Sequence, residues 1–162
     1  MRDLDAETMF SHLASLTRQE RAVRRAAFRS ILGGVGASAR GLSSGTALPL
    51  EDVCRTLESL AAKGLVVLAP TGEVVGSAGL SLAPTPHRLR IQGQHLYTWC
   101  AEDAIGIPAA LGADAEVASA CACCGEPIAI EIRAGHLVRS APAGVQLWLA
   151  EAEVGRSLVG CT

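Results

Sequence analysis

Hydrophobic residues in the first third of the chain recur at three- and four-residue intervals, the spacing of one face of an α-helix. These stripes predict helices over residues 4–16, from residue 17 to about 32, and over residues 49–64. Thr17 and Glu20 have the spacing of a capping box at the start of the second helix. On that helix four arginines fall on the side opposite the apolar stripe, which predicts a solvated face: Arg18, Arg21, Arg25 and Arg29.

The segment between the second and third helices, 33–49, is rich in Gly, Ser and Ala and predicts a loop with at most one more helical turn. After the third helix, apolar runs at 65–68 and 73–75 flank a Pro-Thr-Gly turn, the pattern of a β-hairpin. Three helices followed by a hairpin indicate a winged-helix-like domain over residues 1–82. Such domains often bind DNA, but the third helix exposes three acidic residues that repel phosphates: Glu51, Asp52 and Glu58.

The two prolines of residues 83–86 predict a linker, because proline continues neither a helix nor a central strand. Beyond it, the pattern predicts a strand at 87–91, a helix from about 94 to 111, and strands at 115–121, 128–133 and 145–149. The predicted fold class is therefore α+β, with a winged-helix-like domain at 1–82, a linker at 83–86 and a mixed helix and strand core at 87–162.

The composition supports a folded chain: 162 residues, 49% hydrophobic and 19% charged, suffice for one ordinary domain or two small ones and exclude disordered, collagen-like and coiled-coil classes. The net charge of −2 gives no overall basic field for nucleic acid. Apolar runs are far shorter than a membrane span, and the first residues do not resemble a signal peptide. We expect a cytoplasmic protein without a membrane partner.

Six cysteines in a reducing compartment suit metal ligands, nucleophiles or small buried residues better than disulfides. Cys100 and Asp103 lie three positions apart in the helix predicted over 94–111, so both side chains emerge on one face and can share a ligand. Tyr97 and Trp99 could exclude water there and raise the pKa of the carboxyl. The residues alone leave open a simpler interpretation, in which Cys100 is a buried small residue and Asp103 a solvated one. At that depth in the helix, we expect little help for Cys100 from the N-terminal dipole.

Three further cysteines, Cys121, Cys123 and Cys124, cluster after a predicted strand and could bind a soft ion such as Cu(I), Zn(II) or Hg(II). A structural zinc site is not predicted, because no second paired ligand set follows and the four histidines are scattered singly. Cys54 falls near the apolar stripe of the third helix and is predicted to be a core residue. Cys161, the penultimate residue, is a candidate mobile ligand.

Several segments together resemble the organomercurial (alkylmercury) lyase family. The most specific part is Trp-Cys-x-x-Asp at 99–103, placed before Ile-Pro-Ala-Ala-Leu-Gly at 107–112. The other matching segments are 96–98, 115–121, 125–128 and 142–145. The family also begins with a winged-helix-like domain.

The resemblance implies protonolytic cleavage of a carbon–mercury bond by two cysteines and one aspartate. Cys100 matches the first cysteine, Asp103 the aspartate and Cys161 the second cysteine, while Cys121 matches a cysteine regarded as structural. The family continues beyond its second cysteine, so we expect a C-terminally truncated or shortened member. Cys123 and Cys124 are additional thiols near the site and candidate metal ligands.

No cofactor is implied: mercury is substrate and product, cellular thiols support turnover, and a mercuric reductase is a candidate partner. Two other hypotheses remain open. One is a non-catalytic, thiol-based heavy-metal-binding or metal-sensing protein that uses Cys121, Cys123 and Cys124 and is indifferent to Asp103. The other is a winged-helix DNA-binding regulator, although nucleic acid is not an expected partner.

Overall fold

A computed structural model of the chain describes residues 15–147. Most of the helix predicted over 4–16, and Cys161, lie outside the described residues. The described helices are α1 (Arg18–Leu32), α2 (Ala39–Thr46), α3 (Leu50–Ala62) and α4 (Ala101–Leu111). The strands are β1 (Val66–Leu68), β2 (Val74–Ser77), β3 (Leu80–Ser81), β4 (His87–Ile91), β5 (Gln94–Thr98), β6 (Ala115–Ala120), β7 (Pro127–Arg133) and β8 (His136–Ala141). The α+β class predicted from the sequence is confirmed.

Helix α1 begins with the predicted capping box. The Thr17 hydroxyl accepts from the Glu20 N–H at 3.1 Å, and the Thr17 N–H donates to the Glu20 carboxylate at 2.9 Å. These two bonds satisfy backbone donors that a helix start would otherwise leave without partners. The apolar stripe of α1 is buried in the core, and Gly33 caps its end.

The segment predicted as a loop contains a full helix, α2, which begins where the Ser38 hydroxyl accepts from the Gly41 N–H. Helix α3 follows the predicted range and buries Val53, Leu57 and Leu60. Cys54 is exposed, so its prediction as a core residue is wrong. It lies one position after Val53, which turns its side chain about 100° away from the buried stripe.

All eight strands form one antiparallel sheet in the order β1-β2-β3-β5-β4-β6-β7-β8. The predicted hairpin is β1 with β2. Strand β3 pairs with β5, with Leu80 opposite Thr98, so the sheet continues across the segment predicted as a linker. The division into domains at 83–86 stays a prediction, but the two halves of the chain share this sheet.

The predicted start of the last helix is wrong: residues 94–98 form strand β5, in which Leu96 and Thr98 alternate inward with a period of two. The tight turn before it has positive φ at both Gln92 and Gly93, as a two-residue hairpin requires. Strand β8 was not predicted. Of the strand predicted at 145–149, residues 145–147 are not in a strand, and the others lie outside the described residues.

The core lies between the helices and one face of the sheet. Helix α1 packs against β2 and β3, and α4 packs against β4, β5 and β6. Along β4, buried His87, Leu89 and Ile91 alternate with exposed Arg88 and Arg90. No helix within residues 15–147 has the length and apolar character to cross a membrane.

Candidate active site

Cys100 stands at the junction of β5 and α4, where the chain changes from strand to helix. It is the N-cap residue of α4 and has extended backbone angles, φ −145° and ψ 173°. Hydrogen bonds hold both sides of this junction: the Trp99 N–H donates to the Gly79 carbonyl at 2.9 Å, and the Thr98 hydroxyl donates to the Cys100 carbonyl at 2.9 Å. The prediction that Cys100 lies deep within the helix is therefore wrong, because the helix begins one residue after it.

The structure brings Cys100 and Asp103 into direct contact. The Cys100 thiol donates to Oδ2 of Asp103 at 3.1 Å, and the Asp103 N–H donates to the Cys100 sulfur at 3.4 Å. Asp103 is the third residue of α4, which is the position whose N–H an N-cap side chain normally accepts. The three-residue spacing therefore makes Cys100 the N-cap of the helix and Asp103 the residue whose N–H it accepts. It also brings the thiol close enough to the carboxyl for direct proton transfer.

The Cys100 thiol keeps its proton at neutral pH. Burial raises the pKa of Cys100 to about 12. The charge of Asp103 and the hydrogen bond that its carboxyl accepts from the thiol also raise it. The N–H groups of Asp103 and Glu102 oppose this rise by donating to the sulfur. The helix N-terminus also favours a thiolate, but burial and the adjacent carboxylate outweigh it. The Cys100 thiol is thus the donor in its hydrogen bond to Oδ2 of Asp103.

The Asp103 carboxyl is the natural acceptor of that proton. Burial raises its pKa above the ordinary range, while the bonds to Cys100 and the charges of Arg24 and His87 lower it. Arg24 comes from α1 and His87 from β4, and burial lowers the pKa of each. His87 is held by a 2.8 Å hydrogen bond between its Nδ1 and the Ser119 hydroxyl.

The absence of a side chain at Gly79 leaves room for the Asp103 carboxyl. A Cβ atom built on Gly79 would lie 2.3 Å from Oδ1 of Asp103 and 2.5 Å from its Cγ, closer than any side chain tolerates. Gly79 also has a φ of +88°, which L side chains rarely adopt. The carboxyl therefore packs directly on the backbone of the turn between β2 and β3.

Sequence reasoning missed Arg24, His87 and Gly79. Each belongs to a different element, and no spacing in the chain connects them to Asp103. Of the two aromatic residues, Tyr97 also differs from the prediction. Trp99 is buried beside Gly76, whereas Tyr97 faces a cavity of about 550 Å³ lined also by exposed Arg88 and Arg90 of β4. Tyr97 thus does not shield the pair from water.

The remaining thiols lie at the turn between β6 and β7. Cys121 directly follows β6, and Cys123 and Cys124 are exposed in the turn itself. None of the three contacts Cys100 in a hydrogen bond recorded within residues 15–147. The placement of Cys161 lies outside the described residues. The described part of the chain holds no group of three or more His, Cys, Asp or Glu side chains arranged for a metal ion.

The fold and this pair together define a class of protein: an α+β chain in which a thiol and a carboxyl meet at the N-terminus of a helix that packs against an antiparallel sheet. A sequence model of the MerB family, alkylmercury lyase, matches residues 80–162. The chain belongs to the alkylmercury lyase family.

Individual relatives agree with this assignment. The chain is 35% identical over 118 residues to an alkylmercury lyase of Bacillus cereus, which covers 73% of this chain and 52% of the relative. It is 40% identical over 86 residues to one of Streptomyces lividans, covering 53% of this chain and 40% of the relative. Among solved structures, the mercury-bound form of MerB2 superposes with a TM-score of 0.78 at 31% identity, covering 82% of this chain and 65% of that one. The chain thus spans about half the length of the Bacillus relative.

Proposed function

We propose that this chain cleaves the carbon–mercury bond of organomercurials, releasing a hydrocarbon and Hg(II). The observation that carries the proposal is the 3.1 Å contact between the Cys100 thiol and the Asp103 carboxylate. A protonolytic lyase needs a soft ligand for mercury and a proton donor for carbon within reach of one another. This pair supplies both from one helical turn.

The first step is capture of the metal by Cys100. With a pKa near 12, the thiol is roughly one part in 10⁵ ionised at neutral pH, so it needs a base as it binds. Asp103 is that base and takes the proton from sulfur. A sulfur–mercury bond forms, and the monothiolate that brought the organomercury cation leaves.

The second step returns the proton. A second thiolate, which we assign to Cys161, joins the metal and raises the electron density on the bonded carbon. The carbon–mercury bond breaks with its electron pair on carbon, which takes the proton from Asp103. The hydrocarbon departs, Asp103 is a carboxylate again, and Hg(II) remains on two thiolates. The raised pKa of Asp103 favours this role, because a buried carboxyl holds a proton more readily than an exposed one.

The same chemistry suggests how the substrate is delivered, how the product is removed and where the reaction takes place. We propose that cellular thiols deliver the organomercury cation and remove Hg(II), that a mercuric reductase is the downstream partner, and that the cytoplasm is the site of action. No cofactor takes part in the steps above.

The test is release of hydrocarbon from a simple alkyl- or arylmercury compound in excess thiol. We expect Asp103→Ala to lower the release rate by about 10²- to 10⁴-fold, because no acid remains to protonate the carbon. The mercurial still binds, because loss of the carboxylate lowers the pKa of Cys100 and the buffer can take the thiol proton. Glu102→Gln is the matched control, since Glu102 lies in the same helical turn with an exposed side chain. Equal release by wild type and Asp103→Ala would refute the proton-transfer role.

The two proposed mercury ligands are tested separately. Cys100→Ser should abolish release and mercurial binding at position 100, because a hydroxyl is a poor ligand for a soft metal. Cys161→Ser should allow binding of the organomercury cation but slow release of the hydrocarbon. Full release by Cys161→Ser would show that another thiol is the second ligand.

A further inference from the structure

The turn between β6 and β7 brings two thiols of a Cys-x-x-Cys sequence together. The hairpin continues one step beyond β6, where the Cys121 N–H donates to the Glu126 carbonyl at 2.9 Å. The turn is then closed by the Gly125 N–H, which donates to the Cys121 carbonyl at 2.8 Å. Between these two bonds the chain folds back, so that Cys121 and Cys124 occupy the first and fourth positions of one hydrogen-bonded turn, with the Cys124 side chain beside the Cys121 sulfur.

The thiols of the turn are open to solvent. Cys123 and Cys124 are exposed, and Cys121 is half-buried at the end of β6, so an ion carried by small thiols can reach them. Two thiols that are adjacent in one turn can bind the same soft ion together.

The geometry selects a particular kind of ion. The described residues hold no group of three or more metal-ligating side chains, so this turn does not offer the four ligands that structural zinc requires. Two thiols alone suit a soft ion that accepts two sulfur ligands, such as Hg(II) or Cu(I). Cys123 is the third thiol of the turn, and its side chain is exposed.

The turn also lies at the same edge of the sheet as Cys100. Thr98, two residues before Cys100, pairs with His87, and His87 is bonded to Ser119, two residues before Cys121. Side chains two apart in an extended chain share a face, so Cys121 continues the row of Ser119. Strands β5, β4 and β6 are neighbours, which puts the turn about 10 Å across the sheet from the end of β5.

We propose that Cys121 and Cys124 form a second mercury site, which chelates one Hg(II) ion as a bis-thiolate independently of Cys100. The ion arrives as a complex with two monothiols. Each protein thiol forms one sulfur–mercury bond and gives its proton to a departing monothiolate, so two free thiols are released. The chelate is favoured because the second thiol of the turn is already adjacent when the first one binds.

In the proposed lyase reaction, the second site would receive the Hg(II) that leaves Cys100. This role rests on the proposed lyase function. Thiol exchange between neighbouring ligand pairs would carry the ion across the sheet edge without releasing it to water. Binding at the turn itself stands on the geometry above.

The experiment uses inorganic Hg(II) in excess glutathione with the full chain carrying Cys54→Ser, Cys100→Ser and Cys161→Ser. This parent keeps only the three thiols of the turn. Binding is followed by ultraviolet mercury–thiolate absorption and by native mass spectrometry. We expect one bound ion per chain, and affinity lower by at least ~100-fold after Cys124→Ser or Cys121→Ser, because the chelate is lost.

Cys123→Ser is the matched control, because it removes a thiol from the same turn outside the pair. We expect its affinity to stay close to that of the parent. Because Cys124 is exposed, Cys124→Ser should fold normally, and circular dichroism checks this. The second site is refuted if the parent holds no mercury, if Cys124→Ser binds like the parent, or if Cys123→Ser weakens binding equally.

Hydrocarbon release is measured separately with the otherwise unmodified chain. Failure of release with intact Hg(II) binding at the turn would overturn the lyase proposal alone. Normal release with no Hg(II) binding at the turn would overturn the second site alone.

Discussion

Cys100 and Asp103 form a pair in which each group sets the state of the other. The thiol holds its proton because it is buried and because the carboxylate beside it is charged. The carboxyl, in turn, accepts a hydrogen bond from the thiol, and the backbone N–H of Asp103 donates to the Cys100 sulfur. An electrophile at sulfur therefore displaces the proton toward the nearest base, which is Oδ2 at 3.1 Å.

The raised pKa of Cys100 predicts slow alkylation by iodoacetamide. At pH 8, a thiol of pKa about 12 is ionised roughly 10³-fold less than an ordinary thiol, and only the thiolate reacts. We expect the rate at Cys100 to keep rising about tenfold per pH unit up to pH 10, whereas free glutathione in the same sample levels off. Peptide mass spectrometry measures both rates.

Asp103→Asn separates the contribution of the Asp103 charge to the raised pKa of Cys100 from that of burial. Removing the negative charge lowers the pKa of Cys100, so alkylation at pH 8 should become faster, by about tenfold for each pKa unit lost. Glu102→Gln should leave the rate unchanged. A plateau in the wild-type rate near pH 8–9 would contradict the raised pKa.

At the scale of elements, the site depends on the turn between β2 and β3. Ala78 and Gly79 both have positive φ, 51° and 88°, the form of a two-residue hairpin turn whose twist matches that of the strands. The same turn supplies the carbonyl that accepts from the Trp99 N–H and the surface on which the Asp103 carboxyl packs. One turn therefore positions both the backbone before Cys100 and the acid after it.

Gly79→Ala should displace the Asp103 carboxyl as well as strain the turn. Gly72→Ala is the matched control, since Gly72 has a similar φ of +82° and open space around it. We expect each variant to lose about 1–2 kcal/mol of stability from backbone strain. Only Gly79→Ala should also change the alkylation rate of Cys100.

Thermal unfolding gives the stability cost, and the iodoacetamide rate reports the pair. If both variants alter the rate at Cys100 alike, contact with Gly79 does not position the carboxyl. If neither does, the carboxyl adjusts around the added methyl group.

Patterns among neighbouring residues were enough to predict helices α1 and α3. The capping box at Thr17 and Glu20 and the stripe of Val53, Leu57 and Leu60 were sufficient for α1 and α3, because helix ends and helix faces are encoded by neighbours. Strand β5 was missed, since five residues of period-two alternation merge into the helical pattern that follows. Its turn uses Gln92 and Gly93 rather than the more typical Asn-Gly.

In the whole molecule, one sheet joins the two halves of the chain. The pairing of β3 with β5 makes the sheet continuous, and Arg24 of the first half acts on Asp103 of the second through its charge. The Cys100–Asp103 pair was predictable because both residues lie in one helical turn. Arg24, His87 and Gly79 were not, because only the tertiary fold brings them to the carboxyl.

The shared sheet predicts that the described region unfolds as one cooperative unit. In urea, backbone amides of α1 and of β6 should lose protection from hydrogen exchange at the same concentration, because separating the halves would expose the strand edges of β3 and β5. Exchange followed by mass spectrometry measures both segments in one experiment. Two separate transitions would instead favour independent domains divided near residues 83–86.

The strand order also has a consequence for how the protein is made. Among the strands of residues 15–147, it departs from chain order at one place only, where β3 pairs with β5 and β4 pairs with β6 around α4. Every other strand pair is a hairpin between neighbours, so these two closures span the longest stretches of chain and should form last. They are also the closures that bring Gly79 to Trp99 and His87 to Ser119. Strand β6 follows Cys100 in the chain, so during synthesis the Cys100 thiol is made before β4 and β6 can pair. The speed of that pairing sets how long the thiol is exposed to oxidants and metals.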